Sequence, residues 1–281
     1  MELNLSLSEI LFADPAPVRG LLRRAVRKLR LGSYRFRYAI GALDRPHYAW
    51  ILYQAAQLAA KLGLERISAI EFGVAGGNGL LWMERHAARI ERIFPVKIDI
   101  YGFDTGGGLP EPQDYRDLPY HWQGGFFAMD QAALRARLAR AELIIGEVAE
   151  TLPAFLARDD VAPIGAVAHD FDFYSSTMEG LGLFAGRPAL LLPRIFNYFD
   201  DTMGSDMELY SEYSGERLAI EDFNRANPMR KFGIPYYLRA RQALGAWVNQ
   251  IWVCHLFDHP LYNRFISARD QQLPLAEGAT R

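Results

Sequence analysis

Apolar positions along the chain follow two alternating rhythms. Mostly apolar runs of strand length occur at 67–72, 98–103, 142–145, 164–169 and 189–198. Between them, apolar residues recur at three- and four-residue spacing over 80–94, 129–140, 150–159 and 176–184, which predicts helices. Strands that alternate with helices predict a parallel sheet with right-handed crossovers. A further helix is expected over 46–62, where Pro46 suits a first turn and Gly63 suits the position just past the end. His47, Tyr48 and Trp50 on that helix read as core aromatics or as a ligand wall. After the fifth strand the spacing predicts a helix over 212–227. Two β-rich runs follow, at 236–241 and 248–257, and their proximity predicts an antiparallel hairpin on the sheet edge.

These elements amount to an α/β class: a doubly wound, Rossmann-like, mostly parallel sheet with an antiparallel edge hairpin and an N-terminal helical extension. The expected organisation is an extension over 1–45, one domain over 46–270 and a polar, frayed tail over 271–281. Residues 1–17 are mixed in character, with Pro15 and Pro17 breaking any pattern.

Chemistry concentrates where the strands end. The first run closes on Glu71 and passes into Gly73, Gly76, Gly77 and Gly79 before a helix begins. Such glycines permit positive φ and close backbone approach, and helix-start N–H groups can meet polar or anionic atoms. The second run ends in Asp104, where an acidic residue of such a unit binds ribose hydroxyls. The bland alternative is a tight turn without a ligand. Asp170 closes the fourth strand, and Asp200 and Asp201 close the fifth. Three converging carboxylates repel unless a cation sits among them, and all-oxygen ligands suit Mg²⁺ or Ca²⁺. The competing reading is helix caps and solvated loop ends, with Asp172 before Tyr174 as an N-cap.

The stretch from 105 to 127 is rich in glycine and proline and then in aromatics, including Tyr115, Tyr120, His121 and Trp122. A loop this long within a compact domain tends to be functional or disordered, and the aromatics favour an ordered lid over the ligand site. Near the N-terminus, Val18, Leu21, Leu22, Ala25, Val26 and Leu29 recur at helical spacing. Arg19, Arg23, Arg24, Arg27, Lys28 and Arg30 fill the remaining positions. A basic amphipathic helix over 18–30 either meets a membrane surface or packs on its own domain or a second subunit.

Composition narrows the classes. The 281 residues are 50% apolar and 23% charged, with a formal net charge of −2. This is ordinary globular composition, and the charge argues against general nucleic-acid binding. The single cysteine, Cys254, leaves no disulfide framework or cysteine metal cluster and suits a reducing, cytoplasmic setting. No basic segment precedes an apolar core at the start, so a secretory signal is not expected.

Five motifs in order, EFGVAGGNG, GFDTGGGLP, GEVAETLP, DFDFYSST and FDD, resemble class I S-adenosylmethionine-dependent methyltransferases. Within them the pattern is similar to the macrocin O-methyltransferase group, which methylates hydroxyls of sugars or small molecules with Mg²⁺. The resemblance covers roughly 62–223. It implies that the turn from Glu71 through Gly73 and Gly77 holds the methionine part of S-adenosylmethionine. Asp104 would take the ribose, and Gly146 and Glu147 would lie beside the adenine. Asp170, Asp200 and Asp201 would ligate the metal, with Asp172 a competing candidate, and the last strand would be antiparallel.

The expected reaction is therefore methyl transfer to an oxygen of a small-molecule or glycan acceptor, with Mg²⁺ and Asp170 at the reacting hydroxyl. His121 in the lid is the candidate base, with His169 second, since a histidine serves near neutral pH. A homo-oligomer is expected, with the N-terminal helices as a contact. Two other classes fit part of the pattern. A nicotinamide-dependent oxidoreductase would use the same glycine turn, although the spacing is off the dinucleotide fingerprint and Asp200–Asp201 would lack a purpose. A non-catalytic scaffold would bind cofactor without metal dependence and work through its basic helix.

Overall fold

The computed structural model describes residues 17–267. The mixed segment over 1–16 and the polar tail over 271–281 lie outside the described residues. Three helices come first: α1 (Pro17–Lys28), α2 (Tyr34–Ala39) and α3 (Pro46–Leu62). Pro46 opens α3 and Gly63, at φ 77°, closes it, as the sequence predicts. Then β1 (Arg66–Phe72), α4 (Asn78–Ile90), β2 (Lys97–Asp104), α5 (Gln131–Arg135), β3 (Glu142–Ile145) and α6 (Val148–Leu156) follow. The chain continues through β4 (Ile164–His169), α7 (Tyr174–Leu181), β5 (Leu191–Phe199) and α8 (Gly215–Ala226). It closes with β6 (Arg230–Gly233), α9 (Tyr236–Arg239) and β7 (Ile251–Leu256).

The seven strands form one sheet in the order β3-β2-β1-β4-β5-β7-β6. β1 to β5 are parallel, and β7 runs antiparallel to both β5 and β6. Strand order reverses between β1 and β4. In open α/β sheets ligands gather outside the carboxyl ends at such a switch point. The central strands are buried on both faces: every residue of β4 is buried, as are 67–72 of β1, which is why these strands read as mostly apolar runs without alternation.

Three expectations need correction. The hairpin pairs β7 with β6, not with 236–241; the latter carries the short helix α9. β6 is polar and four residues long, too short to show alternation, and it takes the edge while β7 lies inside the sheet. The helix expected over 129–140 stops at Arg135. There the buried Glu84 carboxylate accepts backbone N–H bonds from Ala139, Arg140 and Ala141, at 3.0, 2.7 and 2.7 Å through its Oε1. These N–H groups cannot also serve a helix. Asp172 is not the cap of α7: that position is Phe173, and no side chain caps the helix.

Candidate active site

The tips of β1 and β4 abut. The Asp170 N–H donates to the Phe72 carbonyl, and the Gly73 N–H donates to that of Phe103. Gly73 has φ 73°, and a Cβ there would sit 1.8 Å from the Asp170 carbonyl oxygen. Only glycine lets the two tips meet. Two residues on, Ala75 also takes a positive φ of 43°, a costly conformation for a residue with a Cβ. Asp104 at the tip of β2 holds it: one carboxylate oxygen accepts from the Ala75 N–H at 2.8 Å and the other from the Gly106 N–H at 2.6 Å. Each oxygen keeps a further lone pair, so the carboxylate can still accept from ligand hydroxyls.

A cavity of about 340 Å³ opens over these tips. Its lining joins Gly73 and Ala75, Asp104, Glu147, the acidic residues Asp170, Asp172, Asp200 and Asp201, and the loop residues Leu109, Trp122 and Phe127. Gly77 and Gly146 shape the wall without lining it. Gly77 turns at φ 76° into α4 against Leu134, and Gly146 leaves β3 at φ 140° with its N–H on the Asp104 carbonyl. Glu71 lies beneath the floor, 1% exposed. The Tyr48 hydroxyl donates to its Oε1, and burial pushes its carboxyl up to about 8. Its Oε2 has no partner. Gly79 makes room for this pair, since a Cβ there would collide with both partners. Tyr48 and Trp50 are core residues, as the aromatic reading of that helix allowed, while His47 stacks on Tyr198 at 4.1 Å.

At the β4 and β5 tips, carboxylate oxygens of Asp170, Asp172 and Asp201 come within 4.8 Å of one another. Asp172 joins because the backbone turns back at its φ of 59°, and its N–H donates to Asp201 Oδ2 at 2.9 Å. Asp200 lines the same cavity but stands apart from this trio. Its Oδ1 accepts from the Tyr198 hydroxyl, and its carbonyl accepts from Gln250 at 2.7 Å. Behind the trio, the buried Glu216 accepts from the N–H groups of Asp201 at 2.9 Å and Phe171 at 3.4 Å, fixing both loops. Burial first, then the neighbouring carboxylates, raises Asp170, Asp201 and Glu216 well above the usual carboxylate range and Asp172 to about 7. Such a group holds protons or a cation. A hard, all-oxygen donor set of this kind fits Mg²⁺ or Ca²⁺.

The loop over 105–127 covers the cavity and is firmly anchored. Its base closes through Leu109 N–H to the Phe126 carbonyl and Gly125 N–H to the Leu109 carbonyl, both 2.8 Å. The buried Asp117 accepts from the backbone N–H and hydroxyl of Ser175, each at 2.9 Å. Leu118, Trp122 and Phe173 form a separate apolar cluster beside it. Trp122 Nε1 donates to the Tyr210 hydroxyl, which donates to Asp201 Oδ1, both at 3.2 Å. Tyr210, Glu216 and Asp117 were not singled out in the sequence; only the fold brings these distant positions to the tips.

The two histidines fare differently. His121 is on the lid, with Nε2 3.8 Å from Glu208 Oε1. It is Glu208 of that pair that lines the cavity. His169 is fully buried, stacked on Phe199 at 4.1 Å, with Nε2 donating to Asn197 Oδ1 at 3.2 Å. Burial pushes it down to about 3, so it is a neutral core residue and does not line the cavity.

No protein-family model matches the chain, and no curated protein sequence matches it. Several solved structures are similar. CalS11, a calicheamicin methyltransferase, is 19% identical over 80% of this chain and 90% of that one, with a TM-score of 0.47. The O-methyltransferase NovP is 14% identical over 75% and 90%, with a TM-score of 0.48. TomG from Streptomyces achromogenes, an O-methyltransferase of tomaymycin synthesis in complex with SAM, is 14% identical over 85% and 88%, with a TM-score of 0.42. At these levels the likenesses carry no weight for the chemistry, which rests on this chain's own residues.

Proposed function

We propose that the chain transfers the methyl group of S-adenosylmethionine to a hydroxyl oxygen of a small-molecule or glycan acceptor, in the manner of the macrocin O-methyltransferase group. The observation that carries this reading is one cavity lined at once by the Gly73 turn, Asp104, Glu147 and the acidic tips of β4 and β5. Asp104 has the spare lone pairs for two ribose hydroxyls. Glu147, which lines the same cavity, would flank the adenine. The orphaned Oε2 of Glu71 suits the donor's ammonium. Asp170, Asp172 and Asp201 would hold Mg²⁺, with Asp200 beside them. Bound there, the ion lowers the pKa of an acceptor hydroxyl.

In the reaction the carbon–sulfur bond of the sulfonium breaks and a carbon–oxygen bond forms. Sulfur keeps the electron pair and leaves as the neutral thioether. The hydroxyl proton passes to the lid, where Glu208 faces the cavity and His121 stands behind it. Because the sulfonium is already reactive, the protein's main work is alignment: Trp122 and Phe127 wall the acceptor and Tyr210 fixes Asp201.

Calorimetric titration with S-adenosylmethionine, S-adenosylhomocysteine and NADH tests the reading. The two adenosyl ligands are expected to bind and NADH is not. Asp104→Ala should weaken the adenosyl ligands about 10- to 100-fold, the cost of charge-assisted hydrogen bonds. NADH binding at comparable strength, or an Asp104→Ala protein that binds as before, contradicts it.

A further inference from the structure

The first helix is amphipathic, yet its apolar side is not covered by any of the described residues. With 3.6 residues per turn, Leu21, Leu22, Ala25 and Leu29 share about a third of the circumference. Arg23 and Arg27 occupy the opposite side, while Arg24 and Lys28 flank the apolar strip. α1 meets the body through Arg23, which donates to the Ala243 carbonyl, and through Arg27, which lies 3.9 Å from Asp44. These contacts are on the basic side. Leu21, Leu22 and Leu29 remain 63%, 61% and 65% exposed, and Leu31 and Phe36 continue the exposed apolar strip.

Charge identifies what would cover it. Residues 17–43 carry eight basic residues and no acidic one, in a chain of net charge −2, so the remainder is net acidic. A second copy meeting leucine to leucine across a two-fold axis would bring two such basic segments together, an unfavourable pairing. An anionic lipid surface satisfies both faces: leucines enter the acyl boundary while arginines and lysine meet the headgroups. Among the described residues no helix is long and apolar enough to cross a membrane, so α1 would lie on the surface.

We propose that α1 is an interfacial helix that docks the protein on an anionic phospholipid bilayer. It does so next to the ligand site. Asp44, the partner of Arg27, precedes α3, whose His47 stacks on Tyr198 at the tip of β5, and Tyr198 donates to the cavity residue Asp200. The helix is thus tied to the rim of the sheet that carries the cavity. This inference stands independently of the methyl-transfer reading.

Co-sedimentation of the full chain with vesicles tests it. Binding is expected to phosphatidylcholine vesicles containing phosphatidylglycerol, not to phosphatidylcholine alone, and to fall with added salt. Arg24→Gln with Lys28→Gln removes two exposed charges and should weaken binding about 30-fold, at about fivefold per basic residue near an anionic surface. Leu22→Gln with Leu29→Gln should also weaken it. Both pairs are exposed, so melting temperature and adenosyl-ligand binding should stay as in the parent. Absence of sedimentation with anionic vesicles, unchanged binding in both variants, or a dimer dissolved by the leucine substitutions would overturn the proposal, the last in favour of a second copy.

Discussion

Two regions of this molecule bury carboxylates, and they do so to opposite ends. Glu84, on α4, meets three backbone N–H groups at Ala139, Arg140 and Ala141. The donors are consecutive backbone groups and the charge is answered, so the group works as a clamp holding the approach to β3. At the tips of β4 and β5, Asp170, Asp172 and Asp201 face one another. The donors there serve Asp201, from the Asp172 N–H and the Tyr210 hydroxyl, and the remaining oxygens face the cavity. Burial alone therefore does not mark a functional carboxylate. What marks it is burial without enough donors, beside a cavity.

The comparison can be broken most sharply by exchanging charge for amide. Asp201→Asn is expected to weaken Mg²⁺ or Mn²⁺ binding about 100-fold or more, read by calorimetry, while S-adenosylhomocysteine affinity stays within about threefold. Glu84→Ala should do the reverse. Leaving these part-buried N–H donors without a partner costs about 1–3 kcal/mol, visible as a lower denaturation midpoint, with metal binding intact. Loss of metal binding in the Glu84 variant alone would erase the distinction.

A smaller effect concerns pH. Asp172 and Glu71 titrate in the fold at about 7 and about 8, raised first of all by burial. In the unfolded chain they lose their protons near pH 4. The fold therefore binds more protons than the coil between those values, and stability falls as pH rises through the window. His47 and His169, pushed by burial down to about 3, act oppositely, but only below about pH 6.5, where the unfolded histidines charge. Between about pH 6.5 and 8 the carboxyls decide the sign. The melting temperature should drop by several degrees over that interval in the metal-depleted protein, and added Mg²⁺ should remove the part due to Asp172 while leaving the part due to Glu71. A flat profile would mean that the cluster is not proton-loaded.

Much of the scaffold was legible because it rests on local rules. A strand buried on both faces is an apolar run, so β4 begins and ends where the pattern places it, and Pro46 and Gly63 punctuate α3. What was not legible depends on distant partners. The run over 136–140 has helical spacing, but Glu84, about fifty residues away in sequence, captures the N–H groups of Ala139, Arg140 and Ala141. The run over 236–241 has strand composition, but the partner of β7 is the polar β6. At the site, Asp170 and Asp201 were readable as strand tips. Asp172, a competing candidate in the sequence, joins them through a left-handed backbone turn, while Asp200, expected as a ligand, stands outside the trio. His121 was read from the lid's composition, whereas its relation to the cavity runs through Glu208, a residue of another loop.

The central claim is that an adenosyl donor and a divalent ion share one mouth at these strand tips. Mn²⁺, a paramagnetic ion that oxygen ligands also accept, offers the direct test through proton relaxation of bound S-adenosylhomocysteine. Strong broadening of the homocysteine and ribose signals in the parent protein, abolished by Asp170→Asn with Asp201→Asn, is the predicted result. Signals that stay sharp with Mn²⁺ and ligand both bound would contradict it.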